Sequence, residues 1–388
     1  MKKKKSNVAK NVKVTTFKYR IYPTKGQCRL LDNTLEECRQ LYNHFLGKRK
    51  RAWEEEKKSL SKFDQDKTLP PLKERVAELK NIHSQVLQNV AERVDLAMQA
   101  FYRRANAGET PGYPRFKGFG RYDSITFPQV PNGCNLQNGK LFVSKIGQIK
   151  IVMHRRLEGT PKSAILSQTA TGKWFVCFSC EVEPKRLPPK DNAVGIDVGL
   201  HTFAALSDGN KVENPKFFRS EEKELAKVQR KLSKAKKGTK ERKVKRKAVA
   251  RVYERISHKR DNFSHQESRM IVDGYGIICV EDLRVSRMVH NHCLSKSIHD
   301  AAWSGFFSML SYKAEEAGRI FIKVNPAYTT QDCSRCHHRQ KMPLSERVYT
   351  CPSCHLVIDR DLNSSISILR IGLDSLKKEA PVPLGRGE

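Results

Sequence analysis

Asp197, Glu281 and Asp361 are the residues whose types and settings best suit chemistry. Asp197 ends the run Val194-Gly195-Ile196, Glu281 ends Ile277-Ile278-Cys279-Val280, and Asp361 opens an apolar-periodic helix within Asp359-Arg360-Asp361-Leu362-Asn363. The two apolar runs read as buried strands. A carboxylate at the end of a buried strand is costly unless a cation or hydrogen bonds compensate it. Three of them meeting in space would need divalent metal. Phosphodiester hydrolysis requires an activated water, in-line geometry and stabilisation of the leaving 3′ oxygen, and two divalent ions about 4 Å apart supply all three. Asp197 is expected to bridge both ions, with Glu281 and Asp361 holding one each. Mg²⁺ fits carboxylate oxygens and keeps several waters; Mn²⁺ is the other candidate. The competing reading makes each acid a helix cap or an ion-pair partner, and an N-cap role alone would account for Asp361. Asp359 is the poorer ligand of its pair, and Asn363 is expected to orient a ligand or a water.

A second constellation is Cys333-Ser-Arg-Cys336, fourteen residues, then Cys351-Pro-Ser-Cys354. Four thiolates suffice for one tetrahedral Zn²⁺, and a closed four-Cys site is structural rather than catalytic. The intervening residues Lys341–Tyr349 are expected to form the hairpin of a zinc ribbon. Each pair also reads Cys-x-x-Cys-His, through His337 and His355, which is the haem-attachment pattern. Covalent haem requires export, and no apolar stretch follows Met1-Lys2-Lys3-Lys4-Lys5 to make a secretory signal. Cys177 and Cys180, three apart on an expected strand, face opposite sides and read as structural.

These residues must be carried by elements that the pattern outlines. Residues 13–23 alternate as a strand. A helix follows with Leu31, Leu35, Cys38, Tyr42 and Phe45 on one stripe, and after Pro70-Pro71 a second carries Leu79, Ile82, Val86, Val90, Val94 and Phe101. Their outer faces bear Lys48, Arg49, Lys50, Arg51, Arg103 and Arg104. The loop Gly112–Gly118 mixes Tyr113, Arg115, Phe116 and Lys117, a composition suited to stacking bases and gripping phosphates. Strands are expected at 124–127, 140–143, 148–153, 164–169 and 173–182. Leu187-Pro188-Pro189-Lys190 reads as a stiff linker. Further strands follow at 193–198 and 202–207, closed by a turn at Asp208-Gly209, and then at 276–280 and 320–324. A basic helical hairpin spans about 220–273, broken at Lys237-Gly238-Thr239, with Lys236, Lys237, Arg242, Lys243 and Arg246 as candidate contacts to a nucleic-acid duplex. Helices are expected at about 298–317 and 362–371.

Composition agrees with such a partner. The chain has 388 residues, with 74 Lys+Arg against 41 Asp+Glu and a net charge of +33. That excess attracts polyanions, and long nucleic acid rewards it through counterion release. No apolar stretch approaches the ~20 residues that span a bilayer. The 11 cysteines are expected in a reducing compartment rather than in a disulfide framework.

The order Gly-Ile-Asp197-Val-Gly, Val-Glu281-Asp-Leu, the four cysteines, then Asp-Arg-Asp361-Leu-Asn resembles the TnpB (OrfB) family, transposon-encoded RNA-guided DNA endonucleases regarded as ancestors of type V CRISPR effectors. Gly112–Gly118, Tyr312-Lys313 and Pro326–Cys333 agree as well, and the resemblance runs from about residue 13 to 372. It implies a multidomain α/β protein with an RNase H-like RuvC core at 190–330 and 356–373, whose acidic triad is Asp197, Glu281 and Asp361. It further implies an inserted zinc ribbon at 331–355 that helps load target DNA. The N-terminal half would be a wedge β-barrel at 1–24 and 105–186, carrying a helical recognition lobe at 25–104, and 374–388 would be a disordered tail. A guide RNA from the transposon end would direct cutting of double-stranded DNA beside a short adjacent motif. The expected protein is a monomer, cytoplasmic and nucleoid-associated in a prokaryote. His337, where the family often has Gly, and Ser364-Ser365, where it often has Ala-Ala, depart from the pattern. The alternatives are a transposase that joins strands itself, whose acids usually run Asp-Asp-Glu rather than Asp-Glu-Asp, and a nucleic-acid-binding regulator with an inert core.

Overall fold

A computed structural model describes residues 12–343 and 345–379. The chain divides into two compact units, Met1–Glu183 and Pro184–Glu388.

The first unit begins with strand β1 (Lys13–Tyr22) and helix α1 (Lys25–Glu56), which starts at a capping box between Thr24 and Gln27. Short helices α2 (Lys62–Asp66) and α3 (Leu69–Arg75) and a 3-10 turn (Ala77–Asn81) lead into α4 (Ser84–Asn106). The expected stripe of α1 is buried in full. The second stripe is not one helix: Leu79 and Ile82 lie before α4, in the 3-10 turn and at its end, while Val86, Val90 and Val94 form the buried face of α4. Arg49 is not on an outer face. It is buried, donating to Asp95 at 2.8 Å and to Gln65, which in turn donates to the Phe45 carbonyl. Six more strands follow: β2 (Ser124–Phe127), β3 (Cys134–Gln137), β4 (Lys140–Val143), β5 (Gly147–Val152), β6 (Thr160–Gln168) and β7 (Trp174–Val182). All join β1 in one antiparallel sheet ordered β2-β6-β7-β1-β5-β4-β3. Edges β2 and β3 do not pair, so the expected barrel is left open at that seam. Apolar residues of the sheet and of α1 and α4 form one core, with Tyr19, Phe45 and Trp174 among its largest members.

The second unit is built on strands β8 (Ala193–Val198), β9 (Thr202–Leu206) and β10 (Lys211–Glu213), helices α5 (Phe217–Ser233) and α6 (Lys240–Gly274), and strand β11 (Ile277–Glu281). Then come α7 (Val285–Met288), α8 (His292–Ala301), α9 (Trp303–Ala317), β12 (Ile320–Val324), β13 (Val348–Thr350), β14 (Val357–Asp359) and α10 (Arg360–Glu379). The main sheet runs β10-β9-β8-β11-β12, antiparallel from β10 to β8 and parallel from β8 to β12. Val194, Ile196, Ile278 and Val280 pack into a core with Phe306 and Leu310 of α9 and Val272 of α6, and Cys279 and Val324 face Ile368 of α10. The sheet is thus covered on both sides.

Three expectations change here. The helix expected at 298–317 is two helices, broken at Ala302, whose φ of 53° lies in the left-handed region. The 187–190 segment is docked rather than free: Leu187 N–H donates to the Ala317 carbonyl, and Arg319 donates to the Pro188 carbonyl at 2.6 Å. The tail expected from 374 continues α10 to Glu379, and the rest of it lies outside the described residues. No helix among the described residues is long and apolar enough to cross a membrane.

Lys313 of α9 is buried and donates to the His265 carbonyl and the Ser268 hydroxyl of α6, each at 2.7 Å. Burial lowers its amine from 10.5 to about 8. Between those values the unfolded chain holds a proton that the folded chain has released, so this residue makes stability rise with pH across that window. Urea unfolding from pH 8 to 10.5 should show a steeper rise for the wild type than for Lys313→Met; equal slopes would contradict the assignment.

Candidate active site

Side-chain alternation along strands turns Asp197 and Glu281 toward the helix that carries Asp361. Val194 and Ile196 point into the core under α6 and α9, so Gly195 and Asp197 face the other side, toward α10. The same rule puts Cys279 and Glu281 on the α10 side. Strands β8 and β11 are parallel with Ile196 opposite Val280, so Asp197 and Glu281 each stand one residue past that pair. The helix that carries Asp361 lies directly on these strands. A Cβ on Gly195 would fall 2.1 Å from the Ser365 carbonyl oxygen, and one on Gly372 would fall 2.3 Å from the Cys279 sulfur. Only glycine permits so close an approach. Asp361, one turn before Ser365, shares the face that meets the sheet.

The electrostatics follow from this packing. Asp197 keeps part of its side chain open to solvent, yet protein crowds it, and its carboxyl is pushed well above the usual range. Burial is the largest cause, followed by the charges of Glu281 and then Asp361, with Arg360 opposing them. Glu281 is 7% exposed and also raised by burial, against a hydrogen bond donated by Thr329. The Thr329 hydroxyl lies 2.5 Å from Glu281 Oε1 and is itself buried. The sequence offered Thr329 only as part of the Pro326–Cys333 stretch, with no sign of this contact. Asp361 lies 3.7 Å from Arg360 Nε. The helix cap belongs to its neighbour: Asp359 Oδ1 accepts from the Leu362 N–H at 3.1 Å, and its other oxygen pairs with Lys211.

The four cysteines close more tightly. Their sulfurs lie within 4.8 Å of one another, the one group of three or more ligand side chains among the described residues placed to share an ion. The two pairs therefore converge on one tetrahedral site rather than two separate haem attachments. In each knuckle the N–H four residues on returns to the first cysteine's carbonyl, from His337 to Cys333 and from His355 to Cys351. Both histidines sit at positive φ, 65° and 56°, where glycine is usual. The His338 backbone N–H lowers the Cys336 thiol, toward the thiolate that binds metal, while, against the Leu356 N–H, burial and the neighbouring thiols raise Cys354. The expected hairpin over 341–349 is replaced by β13 paired with β14 around the second knuckle, plus a single bridge from Asp332 to Arg339. Asn363 does not turn toward the acids. Fully buried, it accepts from the Ser334 N–H and donates to the Asp332 carbonyl, each at 2.9 Å, fastening the ribbon to α10.

The candidate nucleic-acid contacts divide. In the Gly112–Gly118 loop, Tyr113, Arg115 and Phe116 are exposed, while Lys117 is pinned through its backbone to Asn43 and Arg39 of α1. On the helical hairpin Lys236, Lys237, Lys243 and Arg246 are exposed. Arg242 is held inward, donating to the Leu232 and Ala235 carbonyls at 2.9 and 2.7 Å, which caps the end of α5.

Comparison with known proteins gives this arrangement a family. A family model described as "Probable transposase", OrfB of the IS605 type, matches residues 177–292, and a Cas12f1-like TNB domain model matches 303–368. A helix-turn-helix model of the OrfB type matches 14–58, although these residues form β1 and the single long helix α1. The solved structure of a Cas12f1–sgRNA–target DNA complex superposes with a TM-score of 0.58 at 14% identity, covering 92% of this chain and 99% of that one. An Escherichia coli (strain K12) protein with the provisional name RNA-guided DNA endonuclease InsQ is 28% identical over 381 residues, covering 93% of this chain and 92% of its own. A Streptomyces pristinaespiralis protein, provisionally named RNA-guided DNA endonuclease, is 34% identical over 364 residues, covering 92% of this chain and 89% of its own. At that identity across nearly the full length of both chains, this protein belongs to the TnpB (OrfB) family.

Proposed function

We propose that this chain is an RNA-guided DNA endonuclease, cutting double-stranded target DNA beside a short adjacent motif at a metal-dependent RuvC-type centre. The observation that carries the reading is the placement of Asp197 and Glu281 at the same end of neighbouring parallel strands, where burial and then the charges of Glu281 and Asp361 raise the Asp197 carboxyl. The sheet order supports an RNase H-like core: in chain order of its five strands it reads 3-2-1-4-5. Residues 190–330 and 356–373 are assigned to that core and 331–355 to the ribbon. Residues 1–24 and 105–186 are assigned to a wedge domain and 25–104 to a recognition lobe, in a protein that works as a monomer.

In this reading Asp197, Glu281 and Asp361 hold two Mg²⁺ or Mn²⁺ ions. Bound there, the ions supply an activated water and stabilisation of the leaving oxygen. The donor set fits in kind, because Asp197, crowded by protein and by the charges of Glu281 and Asp361, would need cations to stay charged. Asp197, acted on by both other acids, would be the residue that most needs the ions and would contribute its carboxylate to holding them. Thr329 holds Glu281 in the rotamer that faces the centre, and Arg360 adds positive charge beside Asp197. Zn²⁺ on Cys333, Cys336, Cys351 and Cys354 is structural. The charge of +33 suits a protein that holds a guide RNA and a target duplex through their backbones. The order of acids favours hydrolysis over strand joining, which sets the transposase reading second.

Purification from cells carrying the native locus should retain a discrete RNA that ends in variable sequence. Absence of RNA, with transposon ends cut or joined anyway, would establish the transposase instead. Asp197→Ala should leave RNA and target binding intact and reduce cleavage to background; loss of binding in parallel would contradict a purely catalytic role. Thr329→Val should weaken Mn²⁺ binding, followed by titration calorimetry, by about 10- to 100-fold, and Thr329→Ser should restore it; an unchanged titration for the Val variant would refute the positioning role. Cys351→Ser should strip the zinc and weaken target loading, since a structural zinc contributes folding energy. An unchanged zinc content in that variant would contradict the four-thiolate site.

A further inference from the structure

A cavity of about 530 Å³ opens between the C-terminal turns of α1 and α4. Its wall is aromatic and apolar: Trp53, Leu60, Met98, Phe101, Tyr102 and Tyr113. Three of those rings face solvent, with Trp53 55%, Tyr102 46% and Tyr113 39% exposed. Phe101 and Tyr113 meet edge to face at 5.5 Å, so the wall is organised rather than a scatter of surface side chains. Isolated exposed apolar residues need no explanation, but several aromatic faces gathered on one cavity do. The cavity is also lined by the cations Lys50 and Lys58, with Glu54 as the one acid, and Lys57 Nζ lies 6.0 Å from the Trp53 ring centre. Exposed Arg51, Arg103 and Arg104 continue the positive surround.

We propose that this cavity receives a single unstacked nucleobase, its ring stacked on Trp53 and Tyr102 and its flanking phosphates held by Lys50 and Lys58. The volume suits one nucleotide, and a π-face beside cations is what an extruded or single-stranded base requires. Lys50 lies 3.7 Å from Glu54, and a second copy of this chain, or an apolar peptide, would fill the aromatic wall but bring no anion to Lys58. The site rests on the proposed nucleic-acid function and adds to it a specific place where one base leaves its stack.

The test uses an internal probe. The other two tryptophans, Trp174 and Trp303, are each 2% exposed, so a ligand-dependent change in tryptophan emission reports Trp53. The full-length chain, freed of nucleic acid at high salt, is titrated with a short oligothymidylate and with an abasic oligomer of the same length, while binding is followed independently by anisotropy. Oligothymidylate should quench the emission and the abasic oligomer should not. Tyr102→Ala, at an exposed position, should weaken oligothymidylate binding on the order of 5- to 100-fold. Trp53→Phe should preserve the affinity and abolish the emission change. Binding with no quenching, equal quenching by the abasic oligomer, or a concentration-dependent blue shift of the free protein would overturn the pocket alone. Failure of any nucleic acid to bind would overturn the proposed function together with it.

Discussion

The constraint on which the second unit depends is the burden placed on Asp197. Its carboxylate is crowded by protein and repelled by two further acids, one on the adjacent strand and one on the helix above. Without compensation that arrangement favours a protonated acid and a looser structure. The fold nevertheless brings the acids in from three remote segments and fixes them there. Gly195 and Gly372 let α10 rest on the backbone of β8 and on Cys279 of β11, distances at which any other residue would collide. A helix held that close cannot be displaced to relieve the repulsion. Divalent cations are the natural compensation, and this is why the geometry favours a metal-dependent reading over three independent caps or ion pairs.

The ribbon and the acidic centre share the same supports. Asn363 fastens the first knuckle to α10 two residues after Asp361, and the Ser367 hydroxyl lies 3.5 Å from the same Asp332 carbonyl. On the other side, the loop that enters the ribbon delivers Thr329 to Glu281, four residues before Cys333. Folding of the four-cysteine site therefore bears on two of the three acids through short, direct connections. The four-cysteine site and the proposed acidic centre placed this way are not independent modules, although the sequence separates them cleanly.

Much of this was readable from residue order. Strands 193–198 and 320–324 coincide with the observed ones because β-branched runs with clear punctuation leave little choice. The four cysteines were legible because spacing alone specifies a four-thiolate site, and the proposed acids stand out because each interrupts, follows or opens an apolar run. The failures share a cause: nothing in the local sequence announces them. Arg49 looked like a surface cation because nothing local announces Gln65 and Asp95 as its partners. Arg242 looked like a duplex contact because its carbonyl acceptors are created by the end of α5. The break at Ala302 carries no glycine or proline, and β3 is four residues without a clean alternation. Thr329 and Asn363 are ordinary polar residues until tertiary structure buries them against Glu281 and the ribbon.

The central claim is that three distant carboxylates hold a pair of ions in common. Electron paramagnetic resonance of the Mn²⁺-loaded protein, bound to its RNA and an uncleavable target, reads this directly. The account predicts the spectrum of a spin-coupled Mn²⁺ pair that disappears in Asp197→Asn. Two isolated Mn²⁺ signals, or a coupled pair that survives that substitution, would contradict it.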